Sequence, residues 1–118
     1  MFDGLWAGKW SSNISSGIRV WSVVLVFHQG KIFGGNDRVY CIGAFAAEGD
    51  RFHGNLQVSD HGGEPLGIFG LLVFDQPEVI SITGHISGDE ITLEGILKSN
   101  RKVTVHGLLN RKAGAEIF

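Results

Sequence analysis

The side chains best suited to chemistry in this sequence are its five histidines, at positions 28, 53, 61, 85 and 106. His85 and His106 fall on the polar face of two strands that are close in sequence, and Glu94 lies on the strand between them. Imidazole and carboxylate groups are zinc ligands, so this trio is a candidate metal site. However, the chain has no HxH or HExxH spacing, and polar side chains on the outside of a curved sheet diverge. We therefore expect exposed polar residues here, and we predict no metal and no cofactor.

Nucleophilic chemistry has equally little support in the sequence. Cys41 lies inside the apolar strand Val39 to Phe45, where a cysteine usually behaves as a small buried hydrophobe. The chain contains no Gly-x-Ser-x-Gly elbow and no Gly-x-Gly-x-x-Gly that opens a helix. The run Gly34 to Asp37 is typical of a turn with positive φ rather than of a phosphate loop. We predict that the protein is not an enzyme.

These side chains would be positioned by strands, because apolar and polar residues alternate along nearly the whole chain. The pattern predicts eight or nine short antiparallel strands at regular spacing, which indicates an all-β barrel or sandwich in one domain over 1–110. Residues 111–118 are predicted to be a tail that is loose or docks through Ile117 and Phe118. The predicted strands are Gly4–Ser11, Ile18–His28, Lys31–Phe33, Val39–Ala46, Arg51–Ser59, Leu66–Phe74, Val79–Ile86, Glu90–Leu97 and Val103–Asn110.

The positions of the glycines favour a barrel. The chain has 18 glycines in 118 residues, about twice the usual share, yet no collagen-like period. Four strands repeat one pattern on their inward face, a large apolar residue, a glycine and another large apolar residue. Glycine lets a strand bend sharply, which closing a small barrel requires, and it could also leave room for an apolar ligand. The candidate cavity-lining residues are Phe52, Gly54, Leu56, Ile82, Gly84, Leu93, Gly95, Val105 and Gly107.

The strand from Ile18 to His28 is apolar on both faces. One face carries Trp21, Val23, Leu25 and Phe27, and the other carries three valines, at 20, 24 and 26. Such a strand needs cover outside the barrel as well as inside. A homodimer built on this strand would supply it symmetrically, and the C-terminal tail is the alternative cover.

Bulk properties exclude several classes of protein. With 10 basic and 12 acidic residues the net charge is −2, and the sequence pI is near 6.2, so direct nucleic-acid binding is a poor expectation. The longest apolar stretch is far shorter than a membrane helix, and the first residues do not resemble a secretory signal. Cys41 has no partner in the chain, which fits a reducing compartment. We predict a cytoplasmic protein.

The order of turn glycines and strand residues resembles the GrlR-like family. The segment from Phe27 to Tyr40 carries the best part of the match, with Gly34-Gly35 followed by Tyr40. Further along, the same order continues through Gly43-x-Phe45, Gly49-Asp50, Gly54, Gly63-Glu64-Pro65, Phe69-Gly70 and Gly88-Asp89-x-Ile91-x-Leu93-x-Gly95. The resemblance implies a small lipocalin-like barrel of about eight strands that dimerises and has an apolar cavity.

The resemblance also implies a function. The family is named for a negative regulator of type III secretion gene expression, which sequesters a transcriptional activator by protein–protein contact. An exposed acidic run is linked to that contact, and here the corresponding hairpin holds Glu48 and Asp50. The resulting hypothesis is a bacterial regulatory protein that binds a transcriptional activator. The alternative is a carrier of a lipid-like small molecule, and a metal-dependent enzyme built on His85, Glu94 and His106 is a third reading.

Overall fold

The protein is a closed barrel of eight antiparallel strands, which confirms the predicted fold class. The structure is a computed structural model that describes residues 1–13, 19–37, 39–60 and 77–118. The predicted strand Leu66–Phe74 lies outside these residues. So does the part of the preceding loop that follows Asp60, which includes His61. The strands are β1 Gly4–Ser12, β2 Arg19–His28, β3 Lys31–Gly35, β4 Val39–Glu48, β5 Arg51–Asp60, β6 Glu78–Ser87, β7 Glu90–Leu97 and β8 Thr104–Ala113.

Each strand pairs with its neighbours in sequence, and β8 closes the barrel by pairing with β1. Two-residue turns join β2 to β3, β4 to β5 and β6 to β7 at one end. At the first of these turns Gln29 and Gly30 both have positive φ, 48° and 79°, which matches the twist of the strands on either side. β5 pairs directly with β6, so the barrel closes with eight strands.

Two predicted boundaries were wrong. β3 continues through Gly34 and Gly35, which were expected in a turn, because both pair with residues of β2 and β4. Both glycines still have positive φ, and a Cβ on Gly34 would collide with the carbonyl oxygen of Val24. β8 continues to Ala113 rather than ending at 110, and a short 3-10 turn, Ala115–Ile117, follows it.

Arg111 explains why β8 is longer than predicted. Its guanidinium donates hydrogen bonds to the carbonyl oxygens of Met1 and Asp3, at 2.6 and 2.9 Å, and pairs with the Asp89 carboxylate at 3.1 Å. The same group lies 4.3 Å from the centre of the Trp6 ring, in cation–π geometry. Arg111 therefore fastens the N-terminal residues to the end of the barrel that carries the short turns.

The core fills the barrel with inward-facing apolar side chains. Four phenylalanines, at 2, 27, 45 and 52, form a cluster with ring centroids 5.1 to 6.5 Å apart. The indole N–H of Trp6 donates a 2.8 Å hydrogen bond to the carbonyl oxygen of Phe2. Among the described residues, no helix has the length and apolar character needed to cross a membrane.

Candidate functional site

The predicted cavity-lining residues do face the interior. Their large apolar members, Phe52, Leu56, Ile82, Leu93 and Val105, are all buried in the core. The space in front of two of the glycines is occupied by neighbouring side chains. A Cβ on Gly84 would collide with the Phe52 ring, and one on Gly95 would press on Ile80.

This arrangement gives the inward glycines a packing role. Phe52 and Gly84 are cross-strand partners, so the ring of one lies over the backbone of the other. Such a pairing of a large residue with a glycine keeps neighbouring strands close and the interior dense. The alternation of residue types could show that these glycines point inward. It could not show which side chain fills the space beside them.

The two faces of β2 have different roles. Val23, Leu25 and Phe27 are buried inside the barrel, and Trp21 packs against the same core. These four residues were predicted to form a dimer strand, but their side chains belong to the core or pack against it and are not free to meet another chain. The exposed side chains of β2 are on the opposite face, where Val20 and Val24 are 54% and 45% exposed.

The outer surface of β2, β3 and β4 carries a group of exposed apolar side chains. Cross-strand register places Val26, Phe33 and Ile42 in one row, and Val24, Gly35 and Tyr40 in the next. Phe33, Tyr40 and Ile42 are 43%, 44% and 55% exposed. We call this surface the apolar face, and it consists of Val20, Val24, Val26, Phe33, Tyr40 and Ile42.

The C-terminal tail does not cover the apolar face. The ring of Phe118 stacks on His28 at the end of β2, with centroids 3.9 Å apart. With the tail in this place, Val20 and Val24 are still about half exposed. Of the two residues through which the tail was predicted to dock, Phe118 makes this contact and Ile117 is 48% exposed. The contact leaves the apolar face open.

The outer surface of β5 to β8 is polar and grooved. Register aligns His53, Thr83, Glu94 and His106 in one row across the four strands. A second, parallel row consists of Asn55, Ser81, Ile96 and Thr104. A groove of about 490 Å³ lies over both rows, and an adjoining groove of about 440 Å³ shares Thr83 and Glu94 with it. We call this surface the polar face, and it consists of His53, Asn55, Ser81, Thr83, Glu94, Ile96, Thr104 and His106.

The three candidate metal ligands do not converge. Nδ1 of His106 lies 3.7 Å from the Glu94 carboxylate, but Nε2 of His85 lies 3.0 Å from the carboxylate of Asp50. His85 belongs to the neighbouring row, opposite Thr92. Within the described parts of the chain, no three histidine, cysteine or acidic side chains are placed to hold a metal ion.

The hairpin between β4 and β5 carries the two acidic residues that the resemblance singled out. Glu48 and Asp50 are both exposed. Glu48 lies opposite Arg51 in the strand register, and Asp50 is paired with His85. A basic partner would therefore compete with His85 for the Asp50 carboxylate.

Cys41 lies on the inner face of β4 and is almost fully buried. Desolvation raises the pKa of its thiol to about 12. Because the thiolate is the reactive form, Cys41 is unsuited to act as a nucleophile near neutral pH. Its predicted role as a small buried hydrophobe agrees with this position.

The alternation within β4 held a signal that the sequence interpretation missed. Tyr40 and Ile42 alternate with Cys41, so β4 is also apolar on both faces, as β2 is.

Searches with protein-family models and among curated proteins found no match to this chain. The likeness to the GrlR-like family therefore rests on the residues quoted above.

Proposed function

We propose that this chain is a non-enzymatic regulatory protein that acts through protein–protein contact and works as a homodimer joined through the apolar face. The observation that carries the proposal is the exposure of Phe33, Tyr40 and Ile42 on adjacent strands. Half-exposed side chains of this size present roughly 300–400 Å² of apolar surface, which is within the range of the largest apolar patch on a soluble monomer, a patch that is often functional.

The occupant of the apolar face is a second copy of the chain. The eight described strands close on themselves and leave no free edge among them, so a second chain would pack against a face of the barrel and would not extend its sheet. A standard interface buries about 800 Å² on each partner, so the apolar face would form its centre. Gln57, which lies beside Ile42 in the strand register, would belong to its polar rim.

Sedimentation velocity tests the dimer. We expect a dimer at micromolar concentration for the unaltered chain and a monomer for Ile42→Asp, because a charge buried in an apolar interface loses its hydration. The matched control is Thr83→Asp, which places the same charge on the polar face and should leave the dimer intact. A monomer in the unaltered chain would overturn the dimer.

The partner of the dimer is proposed to be a transcriptional activator, as the family resemblance implies. The exposed carboxylates of Glu48 and Asp50 would meet a basic surface on that partner. The alternative function, an apolar carrier, gains no support from the described interior, because the space beside Gly84 is filled by Phe52.

Transcript profiling in the native host tests the regulatory role separately from the dimer. A protein that sequesters an activator lowers transcription of the genes which that activator controls. Deletion of the gene should therefore raise a defined set of transcripts, and Glu48→Lys with Asp50→Lys should reproduce that rise while the dimer persists. An unchanged transcript profile on deletion would overturn the regulatory role.

A further inference from the structure

The groove on the polar face has the construction of a binding site for a sugar. We propose that it binds a neutral oligosaccharide, independently of the apolar face. The groove measures about 490 Å³, within the roughly 300–1,000 Å³ typical of small-molecule sites. It lies on four hydrogen-bonded strands, which hold its side chains on a rigid base.

The shape of the groove follows from the sizes of its side chains. Longer side chains flank β6 on both sides, His53 and Asn55 on β5 and Glu94 and Ile96 on β7. Between them, β6 contributes the short side chains of Ser81 and Thr83, and Thr104 and His106 of β8 lie beyond β7. Ile96 is the aliphatic side chain that faces the groove, and Gly54, Gly95, Ile82 and Val105 line it with their backbone, because the side chains of Ile82 and Val105 are buried in the core.

The chemistry of the walls matches hydroxyl groups. A sugar hydroxyl donates one hydrogen bond and accepts others. The hydroxyls of Thr83 and Ser81 and the amide of Asn55 can do both as well, while Glu94 accepts. The carbon-bound hydrogens of a sugar ring need an apolar surface beneath them, and the Ile96 side chain and the bare backbone at Gly54 and Gly95 supply one. A neutral polyhydroxylated ring therefore satisfies both parts of the groove.

Other ligand classes fit less well. No lysine or arginine lines this groove, and Glu94 would repel a phosphate or a sulfated sugar. The backbone N–H groups beneath it are committed to strand pairing, so they cannot form an anion nest. Arg51 lines only the adjoining groove. A lipid tail would leave the polar walls without partners, which costs free energy.

NMR titration of the isotopically labelled protein tests the proposal. The probes are neutral trisaccharides of glucose, N-acetylglucosamine and xylose, each added to 10 mM. We expect at least one to shift the amide signals of Thr83, Glu94 and their neighbours on β5 to β8 in a saturable way. The absence of shifts with all of them would overturn the proposal, and so would equal shifts with a sulfated disaccharide.

Two variants test whether the sugar binds in the groove. Thr83→Tyr fills the centre of the trough and should abolish binding. Glu94→Gln keeps the shape but removes the charge that strengthens hydrogen bonds, and should weaken binding about tenfold. The matched control is Glu90→Gln, the same change on the same face of β7 outside the groove, which should leave binding unchanged.

These outcomes are separate from those of the proposed function. Sugar binding that persists in both Thr83→Tyr and Glu94→Gln would overturn the site, whatever the oligomeric state. The monomeric variant Ile42→Asp should bind the sugar as well as the unaltered chain does, because the two faces share no residues. Loss of binding in that variant, with the fold intact, would show that the groove is not an independent site.

Discussion

The two outer faces of this barrel are built on the same pleated backbone but carry opposite chemistry. On β2 to β4 the outward positions hold valine, phenylalanine, tyrosine and isoleucine. On β5 to β8 they hold mainly histidine, asparagine, threonine and glutamate. Since the barrel has its core inside, neither outer face is needed to bury that core. The difference therefore separates a surface suited to another protein from a surface suited to a polar ligand.

The interior differs between the same two halves. β2 contributes large inward side chains, Val23, Leu25 and Phe27. β5 to β8 place a glycine at the centre of each inward face, at 54, 84, 95 and 107. Large residues of neighbouring strands fill the space at two of these glycines. One half thus fills the core with its own side chains, and the other makes room for those of its neighbours.

The largest expected difference is between the inner and outer faces of β4. With a pKa of about 12, the thiol of Cys41 is almost wholly protonated at pH 8, whereas a thiol at the exposed Ile42 position would titrate near its ordinary value. A disulfide reagent at pH 8 should label Ile42→Cys in a Cys41→Ala background at least about 1,000 times faster than native Cys41.

Two further measurements sharpen that test. The pKa of Cys41 is higher in the folded than in the unfolded chain. Its contribution to stability is therefore present below about pH 9, the ordinary pKa of the thiol, and falls as the pH rises towards 12.

In a dimer, labelling of the Ile42→Cys thiol should slow as protein concentration rises. Comparable labelling rates for the two positions would show that Cys41 is not in the core.

A matched pair of phenylalanines compares the core with the apolar face. Phe52→Ala removes a ring that is 3% exposed and should lower the free energy of unfolding by about 3–5 kcal/mol. Phe33→Ala removes a ring that is 43% exposed, and should cost under about 1 kcal/mol of monomer stability while weakening the dimer.

Thermal unfolding at several protein concentrations separates the two effects. The melting temperature of a dimer rises with protein concentration. We expect this dependence to survive in Phe52→Ala and to disappear in Phe33→Ala. If the concentration dependence disappeared in Phe52→Ala and survived in Phe33→Ala, Phe52 and not Phe33 would be the ring that supports the dimer.

Two glycines within the polar half provide a smaller contrast. Gly84→Ala should destabilise the protein by about 1–3 kcal/mol, because the added Cβ collides with the Phe52 ring. Gly107→Ala should be neutral or stabilising by up to about 1 kcal/mol, since its Cβ would lie 3.6 Å from Leu93 and Trp10, at ordinary contact distance. Urea unfolding measures both, and equal effects would mean that Phe52 does not occupy the space at Gly84.

The sequence predicted much of the fold because alternation has a period of two and short turns have recognisable residues. Gly30, Gly49 and Gly88 mark three two-residue turns, and all three have positive φ. The end of β8 was missed, because the contacts of Arg111 with the N-terminal residues join positions more than 100 residues apart. Alternation likewise says nothing about register, and register is what places Phe33 beside Ile42 and Thr83 beside Glu94.

The smallest expected effect concerns the ion pair at the edge of the polar half. Asp50→Asn removes the carboxylate that lies 3.0 Å from His85, but both side chains are well exposed to solvent. Exposed pairs contribute under about 1 kcal/mol, so urea unfolding should show a change no larger than this. The main chain of the hairpin is held independently, because the carbonyl oxygen of Asp50 accepts a 2.9 Å hydrogen bond from the N–H of Ile86. A loss of more than about 2 kcal/mol would mean that this pair organises the hairpin, and Glu48 and Asp50 would then be a structural element rather than a surface free to meet a partner.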